Sequence, residues 1–527
     1  MSETTYDFVI VGAGSAGSVL ANRLSADGQY DVLVLEAGRE SHPWSRIPVG
    51  FAKLINNPAA NWCYSSEPEE NTNHRTIPVP RGRLLGGSSS INGMVFVRGQ
   101  SHDYDMWAQL GNRGWSYTDV LPIFRDMESY GGGDSEFRGR DGPLKVHDHT
   151  DNGPFYDAIF AAGEHIGLKR NGDYNGAMQD GMGMTQATIR NGRRMSTAFC
   201  YLDPARDRPN LTIQANAMTE RVLIEDQRCT GVRYRVNGIE QTAHARREVI
   251  ISAGAINSPQ LLELSGIGQP EILSAHGISV EHALPGVGEN LRDHLAPRLA
   301  WTVTRRGFTY TRGLNLVMQS FKYAFTRGGL LSLPASPIRG YFRTREGLVS
   351  PDVGVSFFPF TQENFKLTSQ PGLTAIPHQL RPESLGSIHI KSPSANEQPA
   401  IQFNFLSAEL DRQTVVEAVK TTRRLINAPP LDDVRGEELS PGPGIESDDE
   451  ILDWVRRTAE TVYHPVGTCK MGNDPMAVVD QRLRVRGIER LRVADASIMP
   501  TLTSGNTNAP SIMIGEKASR MVLEDNA

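Results

Sequence analysis

Cysteine is scarce in this chain: four residues (Cys63, Cys200, Cys229 and Cys469) in 527, widely separated and without paired spacing. That pattern speaks against a disulfide scaffold or a thiolate metal site, and the thiols read as reduced and incidental. Long apolar runs are missing too. No stretch approaches the roughly 18 uncharged apolar residues that a membrane-spanning helix needs. The N-terminus carries Glu3 and Asp7 and enters a strand pattern at once, so no secretory leader is expected there. Positive charge is not in excess. The 54 Lys and Arg stand against 60 Asp and Glu, a formal charge of −6, which speaks against a general nucleic-acid surface. No internal repeat occurs. What remains is an ordinary soluble composition, 39% apolar and 22% charged, in a chain too long for one core. A cytoplasmic protein is the expectation, and peripheral membrane attachment is compatible with it.

What the chain does have begins at residue 6. Tyr6 to Val11 is a short, nearly continuous apolar run, as expected of a parallel strand buried on both faces. Gly12-Ala-Gly14-Ser15-Ala-Gly17 follows, then an amphipathic stretch through Val19, Leu20 and Leu24, then a second strand run from Asp31 to Leu35 that ends in Glu36. Gly12 permits the tight turn, Gly14 lets backbone approach a pyrophosphate, and Gly17 allows close packing of helix on strand. Helix N-terminal amides then face the phosphates, and Glu36 stands where an acid hydrogen-bonds a ribose hydroxyl. The order strand, glycine turn, helix, strand, acid predicts dinucleotide binding. NAD and FAD both fit this segment.

Further along, a proline-rich stretch from Pro43 to Pro80 is too long for an ordinary connection and is expected to cover something. Trp62 lies in it, either as packing or as the wall of a ligand pocket. Gly86-Gly87-Ser88-Ser89-Ser90-Ile91-Asn92-Gly93 is a loop of close-approaching backbone and hydroxyls, suited to a phosphate or a planar ring. Residues 103 to 129 read as helical. The alternating runs at Leu211, Val222 and Gly231 read as hairpin strands rather than parallel ones, and Glu248 to Gly268 repeats the strand, glycine turn and helix. Near the C-terminus, Tyr463-His464-Pro465 sits in a turn-rich setting, and Leu491 to Asp495 is a strand ending in an acid. Ser504-Gly-Asn506-Thr-Asn508 opens the last helix.

These stretches together resemble the glucose–methanol–choline family of flavoprotein oxidoreductases over essentially the whole chain. The resemblance rests on GAGSAG with Glu36, GRLLGGSSSINGM, GAINSPQLLELSGIG, HPVGTCKMG, and VADASIMP with GNTNAP, in that order. It implies a mixed α/β fold: a Rossmann-type FAD-binding domain (1–150, 206–296 and 455–527) and a discontinuous substrate domain (151–205 and 297–454) built on an antiparallel sheet covered by helices. It also implies FAD, with Gly12, Gly14, Ser15 and Gly17 at the pyrophosphate and Glu36 at the ribose. Gly86, Ser88, Asn92 and Gly93 would run along the ribityl chain and flavin. The strand at Val222 would hold the adenine edge, and Ala253, Asp495 and Ala496 would close the site. Family members that attach flavin covalently carry a histidine just before the loop asparagine. Ile91 stands at that position here, so the cofactor is expected to be non-covalent.

The chemistry implied is oxidation of an alcohol, with hydride passing to flavin N5. An alcohol proton is very weakly acidic, so a base within hydrogen-bond reach is required. By resemblance that base is His464, and Asn508 is the second member of the family's pair, able only to orient the oxygen. Asn506 is expected to touch flavin, to cap the last helix, or both. His147, His149 and His294 are expected to be structural or exposed. Trp62 and Tyr463 are candidates for an aromatic substrate wall, suited to an aryl alcohol, an alkanol or a quaternary ammonium group. The last of these wants a nearby acid, and none is identifiable. The partners expected are a small alcohol and an electron acceptor, oxygen or a quinone-like carrier, with no metal and no nucleic acid. The same family includes cyanohydrin lyases, whose flavin does not cycle, and that is the alternative.

Overall fold

The structure is a computed structural model that describes residues 3–149, 151–305, 307–363 and 366–527. Strand β1 (Glu3–Val11), helix α1 (Ser15–Leu24) and β2 (Val32–Leu35) form the opening unit. There follow β3 (Gly181–Met184), β4 (Leu211–Gln214), β5 (Ala217–Glu225), β6 (Arg228–Val236), β7 (Ile239–Ile251) and α2 (Gly254–Leu264). The second half holds β8 (Leu299–Val303), α3 (Leu314–Thr326), β9 (Ile338–Phe342), β10 (Val353–Phe358), β11 (Gly372–Gln379), β12 (Arg435–Ser440), β13 (Leu491–Val493) and α4 (Asn508–Asp525).

Two sheets organise the molecule. The first runs β4-β2-β1-β7-β6-β5, with β13 beside β7. Its β4, β2, β1, β7 and β13 are mutually parallel, and β5–β6–β7 is an antiparallel meander. Buried on both faces, the parallel strands need uninterrupted apolar sequence, and Phe8 to Ile10 and Val32 to Leu35 provide it at 0–2% exposure. The second sheet, β12-β8-β11-β10-β9-β3, is antiparallel throughout. Each sheet has its own apolar cluster, one around Val9, Val34 and Ile250 and one around Trp301, Val355 and Leu373.

One local expectation fails. Leu211–Gln214 pairs parallel with Val32–Leu35 instead of forming a hairpin, since a four-residue strand leaves alternation too short to tell an edge from a meander. The helical stretch over 103 to 129 is divided into two helices, Ser101–Gln109 and Tyr117–Met127. Gly111 and Gly114 at positive φ break it, and a Ser116–Asp119 capping box restarts it. Among the described residues no helix is long and apolar enough to cross a membrane.

The topology sets the site. Val11 pairs with Leu35 and with Ile251, and Ile251 pairs with Val493, so four adjacent parallel strands end level with one another. Just beyond those ends stand Glu36, Gly12, Ser252 and Asp495. Ligands of open parallel sheets bind at such carboxyl ends.

Candidate active site

A single cleft runs from Glu36 past Gly12, Gly14, Ser88 and Ala253 to Asp495, Asn506 and His464. Three helix N-termini open into it: α1 through Gly14 and Ser15, α2 through Ala253 and Gly254, α4 through Thr507 and Asn508. None is capped by the side chain of its own N-cap residue, and the positive ends of three helix dipoles meet at the cleft, although the first amide of α2 is taken by Asp495. The glycines are there because side chains do not fit. A Cβ on Gly12 would lie 2.5 Å from the Ser252 carbonyl oxygen, and one on Gly87 would lie 2.8 Å from Gly14 Cα. Glu36 accepts from Ala13 N (3.1 Å) and Gly38 N (2.8 Å), and burial pushes its carboxyl up to about 7. Asp495 binds Gly254 N (2.9 Å), Ser258 Oγ (2.6 Å) and Ser497 N (2.8 Å), tying α2 to the end of β13.

The far end is built from histidines. His464 Nδ1 lies 2.9 Å from His294 Nδ1, and His294 Nε2 lies 2.9 Å from the Leu380 carbonyl oxygen. That carbonyl can only accept, so His294 carries its proton on Nε2. Burial pulls the His294 pKa down to about 4, so its ring is neutral and Nδ1 is a bare acceptor. His464 must then donate from Nδ1. Its own pKa is held well below the ordinary value by burial and by the positive field of its neighbours, so Nε2 keeps its lone pair. Asn506 Nδ2 donates to that lone pair at 2.8 Å, and Asn506 Oδ1 has no partner among the described residues. The result is an oriented, unprotonated imidazole nitrogen beside the chamber, its lone pair taken up by the Asn506 amide.

Backbone fixes this pair. Asp293 Oδ1 accepts from both His294 N (2.7 Å) and His464 N (2.8 Å), and its other oxygen binds Thr461 Oγ1. Burial lifts the Asp293 carboxyl to about 6. Tyr463 adopts φ 72°, a left-handed conformation costly for a non-glycine residue. Arg81 Nη2 holds it there by donating to the Tyr463 carbonyl at 2.6 Å.

Most residues expected here line the cleft: Gly12, Gly14, Ser15, Glu36, Ser88, Asn92, Gly93, Ala253, Asp495, Ala496, Trp62, Tyr463, His464, Asn506 and Asn508. Several stand differently from expectation. Asn508 does not meet His464. Its Oδ1 accepts from Ser15 Oγ at 2.8 Å, because α4 begins at Asn508 and carries it toward α1, while Asn506 in the preceding turn reaches the imidazole. Val222 does not line the cleft. Its amide donates to Ser265 Oγ (2.9 Å), and Ala217, Met218 and Thr219 at the start of β5, where Ala217 N donates to the Glu36 carbonyl oxygen (2.8 Å), take its place. Gly17 and Gly86 act from behind the wall: a Cβ on Gly17 would sit 1.9 Å from the Gly12 oxygen, and Gly86 N donates to Ala13 O at 2.8 Å. Trp62 already carries Tyr64 stacked at 5.5 Å and the Arg83 guanidinium at 4.5 Å from its ring. His294 was expected to be structural or exposed. It is fully buried and bonded to His464. Asp293, His378 and Arg339 were missed altogether, although a charged residue inside the apolar run Ile338–Phe342 was a readable signal.

Comparison with known proteins accounts for this arrangement. The GMC oxidoreductase N-terminal family model matches residues 6–296, and the C-terminal model matches residues 382–515. The chain belongs to the GMC oxidoreductase family. It is 41% identical to oxygen-dependent choline dehydrogenase of Photobacterium profundum, over 99% of this chain and 93% of that one. The enzyme of the same name from Yersinia pseudotuberculosis is 43% identical over 97% and 92%. Among solved structures, pyridoxine 4-oxidase from Mesorbium loti superposes with a TM-score of 0.89 at 31% identity, covering 98% of each chain. A formate oxidase variant from Aspergillus oryzae superposes at 0.93 and 27%, covering 100% and 99%. This GMC oxidoreductase is thus an FAD enzyme acting on CH–OH donors. Its cleft fits that cofactor, since the glycine cradle at Gly12, Gly14 and Gly87 and the uncapped N-terminus of α1 suit a pyrophosphate.

A Gly17→Ala substitution drives a methyl into the Gly12 carbonyl. It is expected to destabilise the protein by about 1–3 kcal/mol and to lower bound FAD, read from melting temperature and the visible-to-ultraviolet absorbance ratio of purified protein. Unchanged values for both would contradict this packing.

Proposed function

We propose that this GMC oxidoreductase converts a primary alcohol to an aldehyde, with non-covalent FAD and His464 as the general base. The observation that supports it best is the unprotonated His464 Nε2, oriented through Nδ1 by His294 and accepting from Asn506 beside the chamber. FAD, when bound, supplies the two-electron acceptor for the carbinol hydride. The chain's residues handle the other half of the reaction. An alcohol hydroxyl that takes the place of the Asn506 amide at Nε2 gives its proton to the imidazole as the hydride leaves, so RCH2OH becomes RCHO with both hydrogens accounted for. Asn506 cannot take a proton and instead donates its amide N–H to the alcohol oxygen. His294 acts as a positioning residue by keeping the His464 proton on Nδ1. Asn508, bonded to Ser15, belongs with the pyrophosphate cradle in this reading.

Ile91 offers no nucleophile in the flavin loop, which supports non-covalent binding. The discontinuous division into an FAD-binding part (1–150, 206–296 and 455–527) and a substrate-binding part (151–205 and 297–454) belongs to this proposal. The relatives' name, oxygen-dependent choline dehydrogenase, supports dioxygen as final acceptor over a quinone-like carrier.

Mixed anaerobically with a panel of primary alcohols, the holoenzyme should lose its yellow flavin absorbance. Removing one general base costs about 10²–10⁴-fold, so His464→Ala should slow bleaching by that factor, and Asn506→Ala should slow it more than Asn508→Ala. A flavin that stays oxidised with every alcohol, or an unaffected His464→Ala rate, would contradict the proposal. Cyanide release from mandelonitrile with flavin still oxidised would point to lyase chemistry instead.

A further inference from the structure

The chamber beyond His464 carries an unused positive charge. Arg339 lies on β9, opposite Ser356 on β10, which is in turn opposite Ile376 on β11, and all three line the cleft. Its side chain is 3% exposed. Nε donates to Tyr341 Oη (3.1 Å) and Nη1 to Ser356 Oγ (3.0 Å), while Nη2 has no hydrogen-bond partner among the described residues. Among the described residues no carboxylate pairs with it. The other arginines of the wall are accounted for: Arg298 pairs with Glu460 at 2.8 Å, and Arg81 holds backbone carbonyls. The acids lining the cleft, Glu36 and Asp495, are spent on backbone amides of the dinucleotide end. A buried, unpaired guanidinium is costly unless something anionic joins it.

We infer that the substrate is an alcohol bearing a carboxylate, with that carboxylate received by Arg339 and Ser356 while the carbinol lies at His464. This rests on the alcohol-oxidation reading and narrows it. A guanidinium edge presents parallel N–H groups that match carboxylate geometry. A quaternary ammonium substrate finds the opposite of what it needs, since the chamber holds Arg339 and Trp62 already carries Arg83.

The test compares matched alcohols, 4-(hydroxymethyl)benzoate against 4-methylbenzyl alcohol and 6-hydroxyhexanoate against 1-hexanol, with choline as the cationic case. The wild-type holoenzyme should favour the acid of at least one pair, and in Arg339→Met that preference in kcat/KM should fall about 100-fold, mainly through KM. Arg339→Lys should keep part of it. Neutral twins or choline preferred over both acids, or a preference unchanged in Arg339→Met, would overturn the inference. Should no alcohol bleach the flavin, the alcohol reading itself falls. Perturbation of the oxidised flavin spectrum by 4-(hydroxymethyl)benzoate, present in wild type and absent in Arg339→Met, would still uphold the anion site, and its absence in wild type would sink that too.

An independent feature lies outside the cleft. On α3, Leu314, Val317, Met318, Phe321 and Phe325 form one stripe at helical spacing and are 76%, 51%, 62%, 63% and 84% exposed. Only Tyr323 of this helix is buried. From His294 to Arg345 the chain has no Asp or Glu and nine Lys and Arg, in a protein of net charge −6. Arg305, Arg312, Lys322 and Arg327 are exposed around the stripe and make no ion pair among the described residues. We propose that α3 lies in the surface of an anionic lipid bilayer, apolar stripe inward and basic residues at the headgroups. The holoenzyme should co-float with vesicles of mixed phosphatidylcholine and phosphatidylglycerol but not of phosphatidylcholine alone. The double variant Phe321→Gln, Phe325→Gln should lose this while keeping flavin-linked activity. No flotation, flotation unchanged in the variant, or a solution dimer that the variant dissolves would overturn it.

Discussion

One hydrogen bond, from His464 Nδ1 to His294 Nδ1, decides what the rest of this site is able to do. Two neutral imidazoles meeting through the same atom type leave a single consistent arrangement once the Leu380 carbonyl has claimed the outer proton. The lone pair that results on His464 Nε2 is therefore fixed by backbone three steps away. Asp293 makes the contact possible by gripping both histidine amides with one carboxylate oxygen. The strained Tyr463 backbone, held by Arg81, sets the angle at which His464 enters. Burial and neighbouring positive charge then keep the pair unprotonated.

The same chain brings its other half to meet this base by a different device. Four parallel strands end in register, and each contributes one element of the dinucleotide cradle just beyond its last residue. Helix dipoles and bare amides provide the attraction for phosphate, and glycines provide the room. The antiparallel sheet closes the chamber from the opposite side, which puts Arg339, Ser356 and His378 across from the cradle. The cradle is thus built from backbone, whereas the far chamber is lined by buried side chains.

That division explains what could be read in advance. The glycine turn, Glu36, the serine loop and Asp495 were legible because backbone geometry demands particular residues at fixed spacing. The mixed α/β architecture and the family followed from them. Asn508 was expected beside His464, but it shares one polar turn with Asn506, and only the start of α4 decides which of the two reaches the imidazole. His294 and Asp293 were not recognised because their role exists only through residues about 170 positions away. Val222 was misplaced by the antiparallel meander, in which strand identity was clear but the register relative to the cleft was not.

The pH dependence of flavin reduction at low concentrations of a neutral alcohol reports the base in the free enzyme. A lowered histidine pKa leaves the base form present as pH falls through the ordinary value near 6.5. The second-order rate should therefore stay level down past 6.5 and decline only in more acid solution. A decline centred at or above 6.5 would mean that His464 titrates as an ordinary imidazole, and the fixed, neutral pair would be wrong.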